Sequence, residues 1–305
     1  MTETGTRDPG RVLVTGARGF LGSAVVARLR NEGAEVVATD LPDPLSSGRD
    51  ILDCDVTDFD EVDAVIGNGD FGTILHCGAV SGPMVIPDRP LDIWRINAGG
   101  TVHVLEAARR HRIGRVVICS TTEVYGQFVG RVDETTLPQP ASVYGASKLA
   151  AEQAMIGYVR QHGLDAAALR LAWIYGPGRR TPTELEDLLR SAMTGTETVL
   201  AARATDHTHY LYIDDAVQGL LSALTAQQVG HRIYNISAGA GVPASRVVEI
   251  VGGMFPGTTI SCSPAKGAHP GVSDIGNTCA RVALGFQPVV PLEMGLERYC
   301  AVLRG

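Results

Sequence analysis

Two side chains near the middle of this chain are spaced to move a proton. Tyr144 and Lys148, in Tyr144-Gly145-Ala146-Ser147-Lys148, stand at i and i+4. A helix would carry them on one face with Cβ atoms roughly 5–6 Å apart. A phenol titrates near pH ~10 and is a poor base at neutrality. A neighbouring ammonium favours the phenolate, and the pair can then take a hydroxyl proton while hydride leaves the same carbon. Apart from Lys148 the only lysine is Lys266. Retention of a lysine at 148 points to a need for a compact ammonium. The spacing also arises by chance, so its weight depends on its company.

That company begins with Gly16-Ala17-Arg18-Gly19-Phe20-Leu21-Gly22, which follows a β-branched run and opens a helical one. Glycines there let backbone N–H groups approach a pyrophosphate at a helix N-terminus. The spacing is GxxGxxG, one residue longer than the usual dinucleotide fingerprint. Asp40 closes the second β-branched run, where a carboxylate accepts from the adenosine ribose. It would repel a 2′-phosphate, and Leu41 adds no cation, so NAD is favoured over NADP; Arg18 is the one residue that argues otherwise.

These residues need a frame. Arg11–Thr15, Glu35–Thr39, Thr73–His76 and Arg115–Cys119 read as short strands, separated by segments of helical period such as Ser23–Arg30 and Pro90–His111. Strand and helix in alternation predict an α/β fold, a doubly wound parallel sheet. Beyond Gly176 glycines and prolines divide the chain into shorter pieces. The expected organisation is residues 1–175 as the cofactor-binding, catalytic part and 176–305 as a smaller, mixed substrate domain. A helix at Asp214–Ala226 and a strand at Arg232–Ile236 return to the main body, so 214–236 belongs with the first part.

The 305 residues suit one large domain with a smaller companion. Hydrophobic residues are 45% and charged residues 19%, an ordinary globular balance. A net charge of -7 offers no field for nucleic acid. The polar start, Met1–Gly10, reads as no signal peptide. No run reaches the about 18 apolar residues of a membrane span. Six scattered cysteines without a CxxC pair fit reduced, buried thiols and a cytoplasmic protein. No metal-ligand spacing is present, and no metal is expected.

Thr15–Gly22, Asp55-Val56-Thr57-Asp58, Asn97-Ala98-Gly99-Gly100-Thr101, Ser120-Thr121-Thr122-Glu123-Val124-Tyr125-Gly126, the Tyr144–Lys148 segment, Ile174–Gly178 and Leu284-Gly285-Phe286 occur in order. Together, across residues 11–286, they resemble the extended short-chain dehydrogenase/reductase family, the NAD-dependent epimerase/dehydratase group. The resemblance implies a Rossmann-like sheet and NAD. It implies Thr121 on the reacting hydroxyl, Tyr144 as acid/base, and Lys148 as tyrosine activator and ribose ligand. Gly16, Gly19, Phe20, Leu21, Asp40, Asp55, Val56, Gly78, Ala79 and Asn97 fall at cofactor positions, although His76-Cys77 departs from the usual apolar pair. Helices corresponding to 91–112 and 144–161 imply a homodimer.

Departures narrow the function. The group's 4,6-dehydratases follow the catalytic threonine with Asp and Glu; here stand Thr122 and Glu123. A threonine hydroxyl cannot replace a carboxylic acid as proton donor, which demotes dehydration. Glu123, two residues past Thr121, would share its side of a strand and face the substrate. The diphosphate anchors of nucleotide-sugar members are replaced by Trp173, by Thr208-His209 and by His269; Arg179, Arg180, Arg203 or Arg232 are the cations that could substitute. Ser81, in the loop Ser81–Met84, is expected to line the pocket. Trp94 and Trp173 read mainly as packing, although Trp173 falls where substrate would lie, and His207 and His209 read as exposed loop residues.

A dehydrogenase of a free sugar, sugar acid or polyol, releasing NADH, is the first expectation. A nucleotide-sugar 4-epimerase with tightly bound NAD is the alternative. A catalytically inactive NAD-binding regulatory protein is third, and the retention of Thr121, Tyr144 and Lys148 speaks against it.

Overall fold

The computed structural model describes residues 6–43, 50–81, 85–263 and 274–304. Seven parallel strands form the main sheet: β1 (Val12–Thr15), β2 (Val36–Asp40), β3 (Ile51–Asp53), β4 (Thr73–His76), β5 (Arg115–Thr121), β6 (Ala166–Leu171) and β7 (Ile233–Ile236). Their order across the sheet is β3-β2-β1-β4-β5-β6-β7. The winding reverses between β1 and β4, so a crevice opens at their carboxyl ends, where ligands gather in such sheets. Register places Thr15 beside Thr39 and His76 at that edge.

Alternation along each strand divides the core into two. Val12, Val14, Leu75, Val117 and Leu169 face one layer; Leu13, Ile74, Val116, Ile118 and Ala168 face the other. The second layer packs under α2 (Phe59–Gly67) and the 91–112 region, and the first under α1 (Phe20–Asn31). Asp58 caps α2, accepting from Asp60 N at 2.9 Å and Glu61 N at 3.2 Å.

The segment expected as one helix, Pro90–His111, is three. A short α3 (Pro90–Trp94) runs into a π-turn at Arg95–Gly99 and then α4 (Gly100–Arg110). Its centre is Asn97, fully buried, whose side chain serves other elements; π-turns of this kind recur at functional sites.

Tyr144 and Lys148 lie in α5 (Val143–His162). Ser142 starts the helix by accepting from Gly145 N at 3.0 Å, and Gly163, at φ +70°, stops it. On its inner face Glu152 bonds Arg170 of β6 at 2.7 Å, both side chains under 5% exposed. Removing one partner of such a pair costs about 3–5 kcal/mol; while intact, it locks α5 to β6, whose Leu171 is beside Thr121 in the register.

The later chain adds α6 (Glu184–Met193), α7 (Ile213–Thr225), α8 (Ala244–Met254), α9 (Thr278–Leu284) and α10 (Leu292–Arg304). Short strands pair Trp173–Tyr175 with Tyr210–Tyr212, Thr198–Leu200 with Ile260–Cys262, and His207–Thr208 with Val242–Pro243. α7 packs on α1, and β7 completes the main sheet beside β6. Among the described residues no helix is long and apolar enough to cross a membrane.

Candidate active site

The crevice starts at the glycine turn. Gly16 has φ +69°, and a Cβ on it would lie 2.6 Å from Gly78 N, so the loops after β1 and β4 touch backbone to backbone. Gly22 has no room either: its Cβ would collide with the Gly16 carbonyl. Gly19 heads α1 without a side-chain cap, and the first turn carries no acid. The N–H groups there remain for an anion. A tight glycine turn packed backbone to backbone, leading into an uncapped helix start, fits a dinucleotide's pyrophosphate.

Asp40 stands where expected, at the end of β2. Its Oδ2 accepts from Arg18 N and its Oδ1 from Leu41 N, both at 2.7 Å. Arg18 does not argue for a 2′-phosphate: its guanidinium donates to the Leu41 carbonyl at 2.7 Å and lies 3.6 Å from Asp53. Asp55 Oδ1 accepts from both N and Oγ1 of Thr57 at 2.8 Å, shaping the turn that presents Val56. Val56 reaches Gly78 and Gly100, whose added Cβ atoms would meet its methyls.

The loop after β4 is held by polar groups, of which the sequence reading gave a role only to Asn97. His76, 2% exposed, sits 2.7 Å from Thr15 Oγ1 and 3.2 Å from Thr101 Oγ1. Burial, and then Lys148, push its pKa down to about 3, so the ring is neutral. Thr15 Oγ1 accepts from Gly78 N at 3.2 Å. Asn97 accepts from Val80 N at 2.9 Å and donates to Val80 O and Ser147 Oγ, each at 3.1 Å. It therefore ties the Gly78–Ser81 stretch to α5. Ala79 and Ser81 are exposed along this loop, and Gly82–Met84 lie outside the described residues, as does His269.

Thr121 ends β5, with its hydroxyl near enough to the Tyr144 phenol to lower that group's pKa. Tyr144 is pushed up to about 12, first by burial; the Thr121 bond acts downward, Glu123 and Cys119 upward, and Arg179 downward. Lys148, 5% exposed, donates to the Cys119 carbonyl at 2.9 Å. Burial lowers its pKa, while the Cys119, Cys77 and Glu152 side chains act upward. Arg179 is one cation that acts on the phenol, and the Lys148 ammonium is held at the Cys119 carbonyl one helical turn on. Cys77 and Cys119, expected as buried thiols, are half-buried at the end of β4 and in β5, with sulfurs 3.5 Å apart.

Glu123 does not share Thr121's side of a strand. The strand stops at Thr121, whose Oγ1 accepts from Glu123 N at 3.2 Å and starts a 3₁₀ turn, Thr122–Tyr125. Glu123 is exposed there, with Ser142 Oγ 3.4 Å from its carboxylate. Trp94 and Trp173 are 40% and 37% exposed, so neither is core packing. His207, in a short paired strand, and His209, just past it, are both half-buried rather than in an exposed loop. Burial pushes His209 down to about 4.

Of the four candidate arginines, Arg232 is tied to Asp165 at the amino ends of β6 and β7, away from the crevice, and Arg180 and Arg203 are exposed. Arg179 alone reaches the crevice, its guanidinium 5.4 Å from the Trp173 ring.

Comparison with known proteins agrees with this geometry. A UDP-glucose 4-epimerase of Mycolicibacterium smegmatis is 30% identical over 94% of this chain and 96% of its own length. A dTDP-glucose 4,6-dehydratase of Streptomyces griseus is 31% identical over 93% and 91%. The solved structure of MoeE5 in complex with UDP-glucuronic acid and NAD is 29% identical, with a TM-score of 0.86 over 97% of this chain and 99% of that one. The family profile covers residues 12–237. From glycine turn to the Tyr144 helix, the chain belongs to the NAD dependent epimerase/dehydratase family, and its cofactor is NAD.

Proposed function

We propose that this chain is a nucleotide-sugar 4-epimerase, inverting the C4 hydroxyl of a UDP-sugar. The observation that carries the reading is the meeting of Thr121 with Tyr144 at the end of β5, over the Lys148 anchor, beside the glycine crevice. Similarity to UDP-glucose 4-epimerases over nearly the whole chain supports it, as does similarity to a protein solved with UDP-glucuronic acid and NAD. These comparisons reverse the order drawn from sequence, which put a free-sugar dehydrogenase first.

The residues divide the work. The N–H groups of Phe20 and Leu21, at the start of α1 past the turn of Gly16 and Gly19, hold the pyrophosphate; Asp40 takes the adenosine ribose; Asp55 and Val56 flank the adenine. Gly78, Ala79 and Asn97 line the nicotinamide side, and Lys148 with Tyr144 takes its ribose. When bound, NAD supplies a reversible hydride acceptor. Tyr144 accepts the C4 hydroxyl proton, and Thr121 holds that oxygen by hydrogen bond. Tyr144 later returns the proton once the sugar has turned its other face, so no net oxidation remains. Dehydration lacks its acid, because Thr122 is a hydroxyl. Glu123 and Ser81 edge the substrate, and Trp173 floors it.

The domain division serves the same reading: residues 1–175 carry cofactor and catalysis, 176–305 cover the substrate, and 214–236 belong to the main sheet. Two copies would pair through the helices of 91–112 and 144–161, where Leu91 is 69% exposed; sedimentation tests this.

One observation favours the dehydrogenase instead: Trp173 and His209 stand where nucleotide-sugar members carry phosphate anchors. A single assay separates the two. Purified protein given UDP-glucose should produce UDP-galactose without net absorbance gain at 340 nm. Accumulating NADH with a free sugar or sugar acid, and no UDP-sugar interconversion, would overturn the proposal.

A further inference from the structure

Two thiols stand together at the crevice, and no step of the proposed reaction uses them. β4 and β5 run parallel with His76 beside Ile118 in the register, so the next residues, Cys77 and Cys119, are neighbours. Adjacent strands lie about 4.7–4.9 Å apart, within the Cα separation that a disulfide spans. Both side chains turn to the same core layer, and their sulfurs lie 3.5 Å apart. Neither is sealed in. Both residues are half-buried, toward the carboxyl ends of their strands, where the crevice opens.

Their surroundings set them apart from the other thiols. The hydrogen bond with Cys77, joined by the Lys148 ammonium, brings Cys119 below its ordinary pKa against burial, while Cys77 is pushed up. One member of the pair is thus the better thiolate and the other its proton donor, as an attacking thiol and its resolving partner require. Burial instead pushes Cys54 up to about 11 and raises Cys262, Cys279 and Cys300. The pair also touches both walls of the site. Lys148 donates to the Cys119 carbonyl at 2.9 Å, and a Cβ on Gly16 would come within 2.7 Å of the Cys77 carbonyl carbon.

We propose that Cys77 and Cys119 are a peroxide-responsive dithiol whose closure to a disulfide disables the crevice. The Cys119 thiolate attacks hydrogen peroxide: an S–O bond forms as the O–O bond breaks, and sulfur gives up two electrons. The hydroxide that leaves takes the proton Cys119 had released, forming water. Cys77 sulfur then attacks Cys119 sulfur; the S–S bond forms, the S–O bond breaks, and the second oxygen leaves as water with the Cys77 proton. Two thiols and one peroxide become one disulfide and two waters. Closure draws the sulfurs together by about 1.5 Å. The strand ends move with them, and with those ends the carbonyl that anchors Lys148 and the backbone that meets Gly16. A dithiol reductant reopens the bond.

The test starts from reduced, NAD-stripped, full-length protein and needs no substrate, so it stands apart from the nucleotide-sugar reading. Intact mass, a peptide map and NAD affinity are read before peroxide, after it, and after dithiothreitol. The mass should fall by two hydrogen atoms per chain, and a linked Cys77–Cys119 peptide should appear. NAD binding should weaken by about tenfold or more, the equivalent of one charge-assisted hydrogen bond at Lys148. Dithiothreitol should restore both. Cys119→Ser, compared with its own untreated protein, should show neither the link nor the loss, and Cys77→Ser should gain oxygen on Cys119. Absence of the link in wild type, or a link that leaves NAD affinity unchanged, overturns the proposal. So does an equal loss of affinity in Cys119→Ser, or a Cys119 that stays unoxidised in Cys77→Ser. If the serine variants fail to fold, the wild-type map and affinities decide alone.

Discussion

His76 Nδ1 lies 2.7 Å from the hydroxyl of Thr15, so the last residue of β4 is bonded to the last residue of β1 just below the glycine turn. The same Thr15 oxygen accepts from Gly78 N, and the other ring nitrogen meets Thr101 beside the π-turn. One neutral imidazole thus joins the walls of the crevice to the helix segment that carries Asn97.

The ring's state makes stability depend on pH. An unfolded histidine titrates near ~6.5, while burial lowers the folded value to about 3. Between these values the unfolded chain holds a proton that the folded chain does not. Stability from this group is intact above the unfolded pKa and falls as pH drops through the window, by at most about 1.4 kcal/mol per pH unit. His76→Asn should flatten the acid limb of stability between pH 6.5 and about 3 in chemical denaturation. An unaltered limb would show that another group sets it.

Chemistry at Tyr144 depends on its hydroxyl and on what bonds it. Tyr144→Phe should cut turnover by about 10²–10⁴-fold while NAD binding survives. Thr121→Val removes a bond that lowers the phenol's pKa. Its kcat should fall by about tenfold or more, with the acid limb of the rate profile moved to higher pH. Thr121→Ser, which keeps the hydroxyl, should restore most of it. Near-normal rates in Tyr144→Phe would remove Tyr144 as the proton carrier.

Cofactor choice tests the proposal that Asp40, at the end of β2, takes the adenosine ribose. Asp40→Ala should weaken NAD by about tenfold or more on stripped protein. NADP should lose less, so that preference narrows. Part of the loss comes through the two backbone N–H groups that Asp40 accepts, at Arg18 and Leu41. Asp40→Asn, which retains an acceptor, separates loop support from charge. Wild-type protein preferring NADP would contradict the ribose assignment.

Much of this is legible in the sequence. Thr73–His76 stands as read, and β5 runs only two residues past the expected Cys119, because β-branched runs covered on both faces leave a plain signal. The Gly16 and Tyr144 motifs carry weight together, in order along the chain, and not by spacing alone. β6 was missed: Ala166-Ala167-Ala168 carries little strand propensity, and neighbouring β5 and β7 impose the conformation. The π-turn was missed because Asn97 bonds a loop distant in sequence. Glu123 was misplaced because the strand ends one residue after Ser120, where a threonine cap takes over. Arg179 stood among four candidates that only tertiary packing could separate.

Hydride that leaves C4 and returns within one active site leaves an isotopic trace. UDP-glucose deuterated at C4 should give UDP-galactose that keeps its deuterium at C4, with no absorbance gain at 340 nm, and Tyr144→Phe should give neither product nor label movement. Deuterium lost to solvent, or held in accumulating reduced cofactor, would contradict epimerisation at this site.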